Sequence, residues 1–244
     1  MGNFLFVILV IIALVKPNLS SGKLKGKIIV DRELSDLSSF IVWIEKGKNL
    51  PSPKIKSKNK LKSMNQKNKT FYPKILAINI FDTVSFKNLD PIFHNVFSLH
   101  PKNKFDLGNF KGGNKFSDDL KNILKGDKQY YHKFKNPGKV PIYCNIHPDM
   151  YGIIYIFDHH YFSSTNFLGE FELPSLPKGS WVLMTDSPYF QHPHKKIINI
   201  SKINQTIEVE LKVNIGDIKK TNHKRKDGSN YDTTKNILNE DDFY

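Results

Sequence analysis

Cysteine is almost absent: Cys144 is the only one in 244 residues. A single cysteine excludes an intramolecular disulfide framework, a zinc site built on two or more cysteines, and a Cys-x-x-Cys redox pair. Arginine is nearly as scarce, with Arg32 and Arg225 the only two among 37 basic residues. The lysines that make up the rest are dispersed, and no nucleic-acid-binding motif accompanies them, so nucleic acid is not an expected partner. Long apolar runs are missing apart from Phe4 to Val15, and those twelve residues are too short to span a bilayer as a helix. No stable membrane insertion is expected. There is no Gly-rich phosphate loop, no Gly-x-Ser-x-Gly elbow and no His-Glu-x-x-His pair, and the expectation is that the chain is not an enzyme.

The chain is well supplied with core-forming surface and positive charge. Apolar residues are 39% and charged residues 25%, with 18 Phe, 10 Tyr and two Trp, the balance of a globular chain. The net charge is +14. Enrichment in Asn and Ile beside Lys fits compositional drift; an acidic redox partner or an anionic membrane surface is the functional alternative. The run Phe4–Val15, followed by Lys16-Pro17-Asn18 and then Ser20-Ser21-Gly22, has the pattern of a secretory signal over 1–22. The expected location is secreted or periplasmic. Such compartments are oxidising, and an unpaired cysteine there needs something to occupy it.

Strand signals dominate from residue 24 onward. Residues 24–30, 40–44, 74–81, 83–86, 94–99, 139–144 and 152–158 are rich in β-branched and aromatic side chains. Residues 46–69 are polar and read as a flexible loop. Ser117-Asp118-Asp119 and Gly126 bracket a short helix within 114–127. Four further strands, near 169–173, 180–184, 196–200 and 206–213, are spaced as in a small sandwich, and 216–244 reads as a disordered charged tail. The expected fold class is all-β: a Greek-key β-sandwich over 23–162 with a short inserted helix, then a second, smaller β-sandwich over 163–215.

The lone cysteine opens the segment Cys144-Asn145-Ile146-His147-Pro148-Asp149-Met150, and His94 lies fifty residues upstream. A thiolate, two imidazoles and a weak thioether are the donor set of a blue-copper electron-transfer centre. Thiolate stabilises Cu(I), imidazole suits both oxidation states, and a long thioether bond leaves the metal nearly trigonal. The spacing on its own is also compatible with a small buried hydrophobe at Cys144. A Cys-His nucleophile pair would leave Met150 without a role.

Five ordered motifs carry a family resemblance. They are residues 64–73 (Met-Asn-Gln-Lys-Asn-Lys-Thr-Phe-Tyr-Pro), 90–98 (Asp-Pro-Ile-Phe-His-Asn-Val-Phe-Ser), 105–108 (Phe-Asp-Leu-Gly), 136–138 (Asn-Pro-Gly) and 144–150. Together they resemble the plastocyanin-like cupredoxins known as methylamine-utilisation proteins, and the short Cys-x2-His-x2-Met loop is similar to that of amicyanin. The resemblance covers roughly residues 24–162 and extends weakly into a carboxypeptidase-regulatory-like or transthyretin-like sandwich over 163–213. It implies one type-1 copper held by His94, Cys144, His147 and Met150. It further implies that Asn95 ties the two ligand loops together. The implied electron port is His147, rimmed by Pro148 and Phe93, facing a redox partner protein that the lysine excess suggests is acidic. Segment 114–127 is longer than the family's usual link. The expected function is single-electron transfer, with periplasmic copper binding and delivery as the alternative. A structural or adhesion module that has lost its metal is a third reading, opposed by the complete donor set. Histidines 159, 160, 192 and 194 read as loop histidines rather than a second metal site, and His100 and His132 have no assigned role.

Overall fold

A computed structural model describes residues 24–31, 37–45, 60–112, 130–188, 190, 192–201, 207–213 and 223–231. The expected signal peptide and the expected helix at 114–127 lie outside the described residues, as does most of the loop expected from 46. Among the described residues the structure is all-β, with no helix.

The first sandwich is built mainly on a five-stranded sheet. Its strands are β6 (Ile75–Asn79), β12 (Tyr151–Phe157), β11 (Gly138–Tyr143), β8 (Phe93–Ser98) and β9 (Phe105–Lys111), in that spatial order. Opposite it lie β10 (Tyr131–Lys133), β7 (Thr83–Ser85) and β3 (Leu61–Ser63), with the small hairpin β4 (Asn65–Lys67) and β5 (Thr70–Tyr72) alongside. The loop expected through 69 therefore ends earlier, because β3 and β4 fall inside it. Only Met64 and Gln66 of this stretch are fully buried, so its apolar signal is too thin to read as strand.

β12 is apolar almost throughout because both of its faces are covered. Ile154 and Ile156 enter the first core with Phe71, Phe86, Val96, Phe134, Cys144 and Met150. The alternate residues Ile153, Tyr155 and Phe157 join Ile75, Ala77 and Ile41 in a separate cluster on the outer face.

That outer cluster is where the second sandwich packs. Its sheets are β14 (Glu170–Leu173), β1 (Leu24–Val30) and β17 (Ile207–Val213), and β13 (Phe162–Ser164), β2 (Ile41–Ile44), β15 (Gly179–Asp186) and β16 (His194–Ile200). Strands β1 and β2 thus belong to the second sandwich, not to the first where sequence order placed them. Leu24, Ile28, Phe40, Val42 and Ile44 share a core with Phe171, Trp181 and Leu183. β1 runs parallel to β17 and antiparallel to β14. The chain starts the second sandwich with β1 and β2, builds the first from β3 to β12, and returns to complete the second with β13 to β17.

The seam between the two holds one buried carboxylate. Asp186, 1% exposed, accepts from Lys139 Nζ at 2.6 Å and from the Tyr155 hydroxyl. Burial, then the charge of Asp186, pushes the Tyr155 hydroxyl far above its ordinary pKa.

His132, on β10, stacks on Phe105 at 4.1 Å and meets the edge of Phe134 at 4.7 Å. Burial, with a contribution from Lys135, lowers its pKa from 6.5 to about 4. Below pH 6.5 the unfolded chain takes up a proton that the folded chain refuses until about pH 4, so stability falls with pH across that window and is unaffected above it. We expect His132 to account for about 1 kcal/mol of lost stability at pH 5, allowing for the partly exposed ring. Urea midpoints at pH 7 and pH 5 check this. The drop should shrink by that amount in His132→Phe, and an unchanged drop would show that another group causes it.

Candidate metal centre

The site forms where two loops meet at one end of the first sandwich. Asn88 shapes the first. Its amide donates to the carbonyls of Ile92 (2.8 Å) and Phe110 (3.0 Å), and its Oδ1 accepts from the Asp90 amide at 2.9 Å. Gly112 passes against this loop so closely that an added Cβ would fall 1.9 Å from the Asp90 carbonyl oxygen. The loop delivers His94 into β8, which pairs with β9 through a register shift between Asn95 and Phe97. A bulge of this kind re-aims neighbouring side chains, and His94 and Asn95 are consecutive yet both fully buried.

The second loop joins β11 to β12. It closes on itself, with the Cys144 amide donating to the Met150 carbonyl at 3.3 Å and the Met150 amide to the His147 carbonyl at 3.1 Å. Cys144, His147 and Met150 are therefore carried on one turn.

The donors of His94, Cys144 and His147 converge, all within 4.8 Å of one another. The two Nδ1 atoms face each other at 3.0 Å, and Cys144 Sγ is 3.7 Å from His147 Nδ1. His94 is completely buried, and its Nε2 lies 2.7 Å from Asp90 Oδ2. That bond sets the tautomer: Nε2–H donates to the carboxylate, and Nδ1 presents its lone pair to the site. Burial holds the His94 imidazole below its ordinary pKa although Asp90 pulls the other way.

Asp90 is in turn held by a hairpin turn. Burial would raise its pKa, but the amides of Lys69 (2.9 Å) and Asn68 (2.7 Å) and the His94 ring bring it below the usual carboxylate value. Asn68 and Lys69 both have positive φ, 55° and 54°, the backbone of a two-residue hairpin turn that aims consecutive amides the same way. The β4–β5 hairpin thus reaches His94 through one carboxylate. Asp90 is a site residue that sequence reasoning missed; an acid four residues before a buried histidine was the available signal.

Asn95 links the two loops. Its Oδ1 accepts from the Asn145 amide at 3.3 Å, and its Nδ2 donates to Asp106 Oδ1 and the Gly108 carbonyl, each at 2.8 Å. Its own amide points at Cys144 Sγ from 3.5 Å. Burial pushes the Cys144 thiol up, opposed by the amides of Asn95, His147 and Ile146. Met150 is fully buried in the core that contains Cys144. His147 and Phe93 are half-buried, while Pro148 is exposed.

No protein-family model matches the chain, and neither does any curated protein. Solved structures similar to it include a reduced tryptophan-to-tyrosine mutant of amicyanin, 16% identical with a TM-score of 0.32, covering 48% of this chain and 98% of that one. A purple cupredoxin from Nitrosopumilus maritimus is 21% identical with a TM-score of 0.29, over 40% of this chain and 99% of that one. A copper-containing nitrite reductase from Thermus scotoductus SA-01 is 20% identical with a TM-score of 0.33, over 53% of this chain and 28% of that one.

The donor set itself fits a soft, redox-active metal. One cysteine sulfur and two imidazoles, with His94 and Cys144 fully buried, suit copper, whereas a hard cation would seek carboxylate oxygens. The carboxylate of Asp90 is turned toward the far nitrogen of His94. The other histidines are not gathered. His159 Nδ1 accepts from the Tyr161 amide at 3.2 Å and His194 lies edge-on to Phe190 at 4.4 Å. Among the described residues, no other group of three potential ligands forms. No helix among them is long and apolar enough to cross a membrane.

Proposed function

We propose that the chain is an exported type-1 copper protein that carries single electrons and turns over no substrate. The convergence of His94 Nδ1, His147 Nδ1 and Cys144 Sγ, with Asp90 occupying the other nitrogen of His94, carries the reading. Copper bound there would alternate between Cu(II) and Cu(I). The chain's part is to hold the donors still. Asn95 and the Cys144–Met150 loop bonds fix them before any metal arrives, so little rearrangement accompanies a change of charge. Burial of His94 and Cys144 keeps water from the donors. Half-buried His147, beside exposed Pro148 and half-buried Phe93, is the edge through which an electron would pass to a partner protein. Met150, on the same turn, would supply the weak fourth bond.

Adding Cu(II) to the purified metal-free chain tests this. The expected result is an intense visible band from thiolate-to-copper charge transfer. It should bleach and return reversibly with one electron per copper. A colourless complex, or one reduced once and not reoxidised, would overturn electron transfer and favour copper storage or delivery through the same ligands.

A further inference from the structure

Residues 223–231 lie across the outside of the Cys144 loop. The Tyr231 hydroxyl donates to the Cys144 carbonyl at 2.7 Å, 87 positions away in sequence. The Lys226 amide donates to Asn145 Oδ1 at 2.9 Å, and its Nζ reaches Asp106 Oδ2 at 2.8 Å. The His223 ring stacks on Tyr143 at 4.3 Å, and the Arg225 guanidinium sits 5.2 Å over the Tyr231 ring. The segment also bonds to itself: Arg225 and Ser229 close a turn at 2.9 Å through Gly228, whose φ is 87°.

These bonds close a ring. Asn145 donates to Asn95, Asn95 to Asp106, Lys226 to Asp106, and Lys226 again to Asn145. The ring includes Asn95, whose amide faces Cys144 Sγ. An exposed Lys–Asp pair alone holds little, and ordering a polar segment costs conformational entropy. Here the aromatic contacts offset that cost, and the bonds from the Tyr231 hydroxyl and the Lys226 amide fall on the Cys144 loop.

We propose that residues 223–231 are a strap that completes the metal centre, with Lys226 and Tyr231 as positioning residues for Cys144. Tyr231 pins the cysteine's carbonyl. Lys226 fixes Asn145 and Asp106, and through both of them Asn95. Loosening the strap shifts Sγ against the two imidazoles and opens the thiol to solvent. This deepens the copper reading and rests on it for its second measurement only.

The test uses the full chain with Tyr231→Phe and Lys226→Gln together. In the metal-free protein, alkylation of Cys144 by iodoacetamide should quicken about tenfold, as expected when two hydrogen bonds holding a local opening are lost. In the copper-loaded protein the charge-transfer band should shift. Loss of the lysine charge and the hydroxyl dipole should lower the preference for Cu(I) about threefold, or about 28 mV at 59 mV per decade. Lys226→Arg, which keeps both charge and reach, should behave as wild type. Wild-type alkylation and an unshifted band in the double variant would overturn the strap. A wild-type chain that never develops the band would overturn the copper reading, while the alkylation rates still decide the strap.

Discussion

Cys144→Ser should abolish the visible band of the copper-loaded chain and weaken Cu(I) binding by more than about a hundredfold, beyond the 10–100-fold typical of losing an outer partner. The fold should survive. Serine is slightly smaller than cysteine and fits the same fully buried position, at a cost of about 1–2 kcal/mol for the poorly satisfied hydroxyl. The hydroxyl is a hard donor that stays protonated, so it neither couples electronically to Cu(II) nor stabilises Cu(I). Burial pushes the wild-type thiol pKa up. Optical titration, with chelator competition for affinity, measures both effects. A variant that keeps the colour would show that Cys144 is not a ligand.

Asp90→Ala should cost metal affinity about 10–100-fold and stability about 1–3 kcal/mol. The carboxylate serves two clients at once. Toward the site it receives His94 Nε2–H at 2.7 Å; without it the ring can turn or change tautomer, and Nδ1 is no longer held on target. Toward the β4–β5 turn it accepts the Asn68 and Lys69 amides, which lose a charged acceptor at a turn with two positive-φ residues. Asp90→Asn retains one oxygen acceptor and should fall between wild type and alanine on both measures. Competition titration and urea midpoints check the pair. Unchanged affinity in the alanine variant would remove Asp90 from any part in the centre.

The sequence shows most of a site when the ligands share a turn. Cys144, His147 and Met150 fall within seven consecutive positions, and their spacing alone suggests a donor set. His94, fifty residues upstream, completes that set in sequence, and the family resemblance supports its place. Asp90 stands inside one of the motifs that carry that resemblance, but its role depends on the Asn68–Lys69 turn closing over it, a tertiary event without local signature. β1 and β2 are legible as strands from Ile28, Ile29, Val30, Ile41 and Ile44. Alternation does not name a partner, so their place in the second sandwich is not legible. β3 and β4 are three-residue strands with polar sequences, visible only through what they pair with. The segment 223–231 is charged and nearly devoid of aliphatic residues. It holds its place through backbone amides, one hydroxyl and ring stacking, none of which a hydropathy reading registers.

The interleaved order of the two sandwiches bears on how the chain emerges, whether from a ribosome or through a membrane pore. Leu24 finds its partner Ile207 only about 180 positions later. At about 5–20 residues per second of synthesis that is a wait of about ten to forty seconds. The first sandwich, from β3 through β12, lies wholly inside the interval and can close while β1 and β2 are still unpaired. Until β13 and β14 emerge, Ile28, Phe40 and Val42 have no core, and the edge of β1 that takes β17 stands open longer still. The sandwich that carries the candidate metal centre is thus assembled first, and the strands that lead the chain out are among the last to be covered.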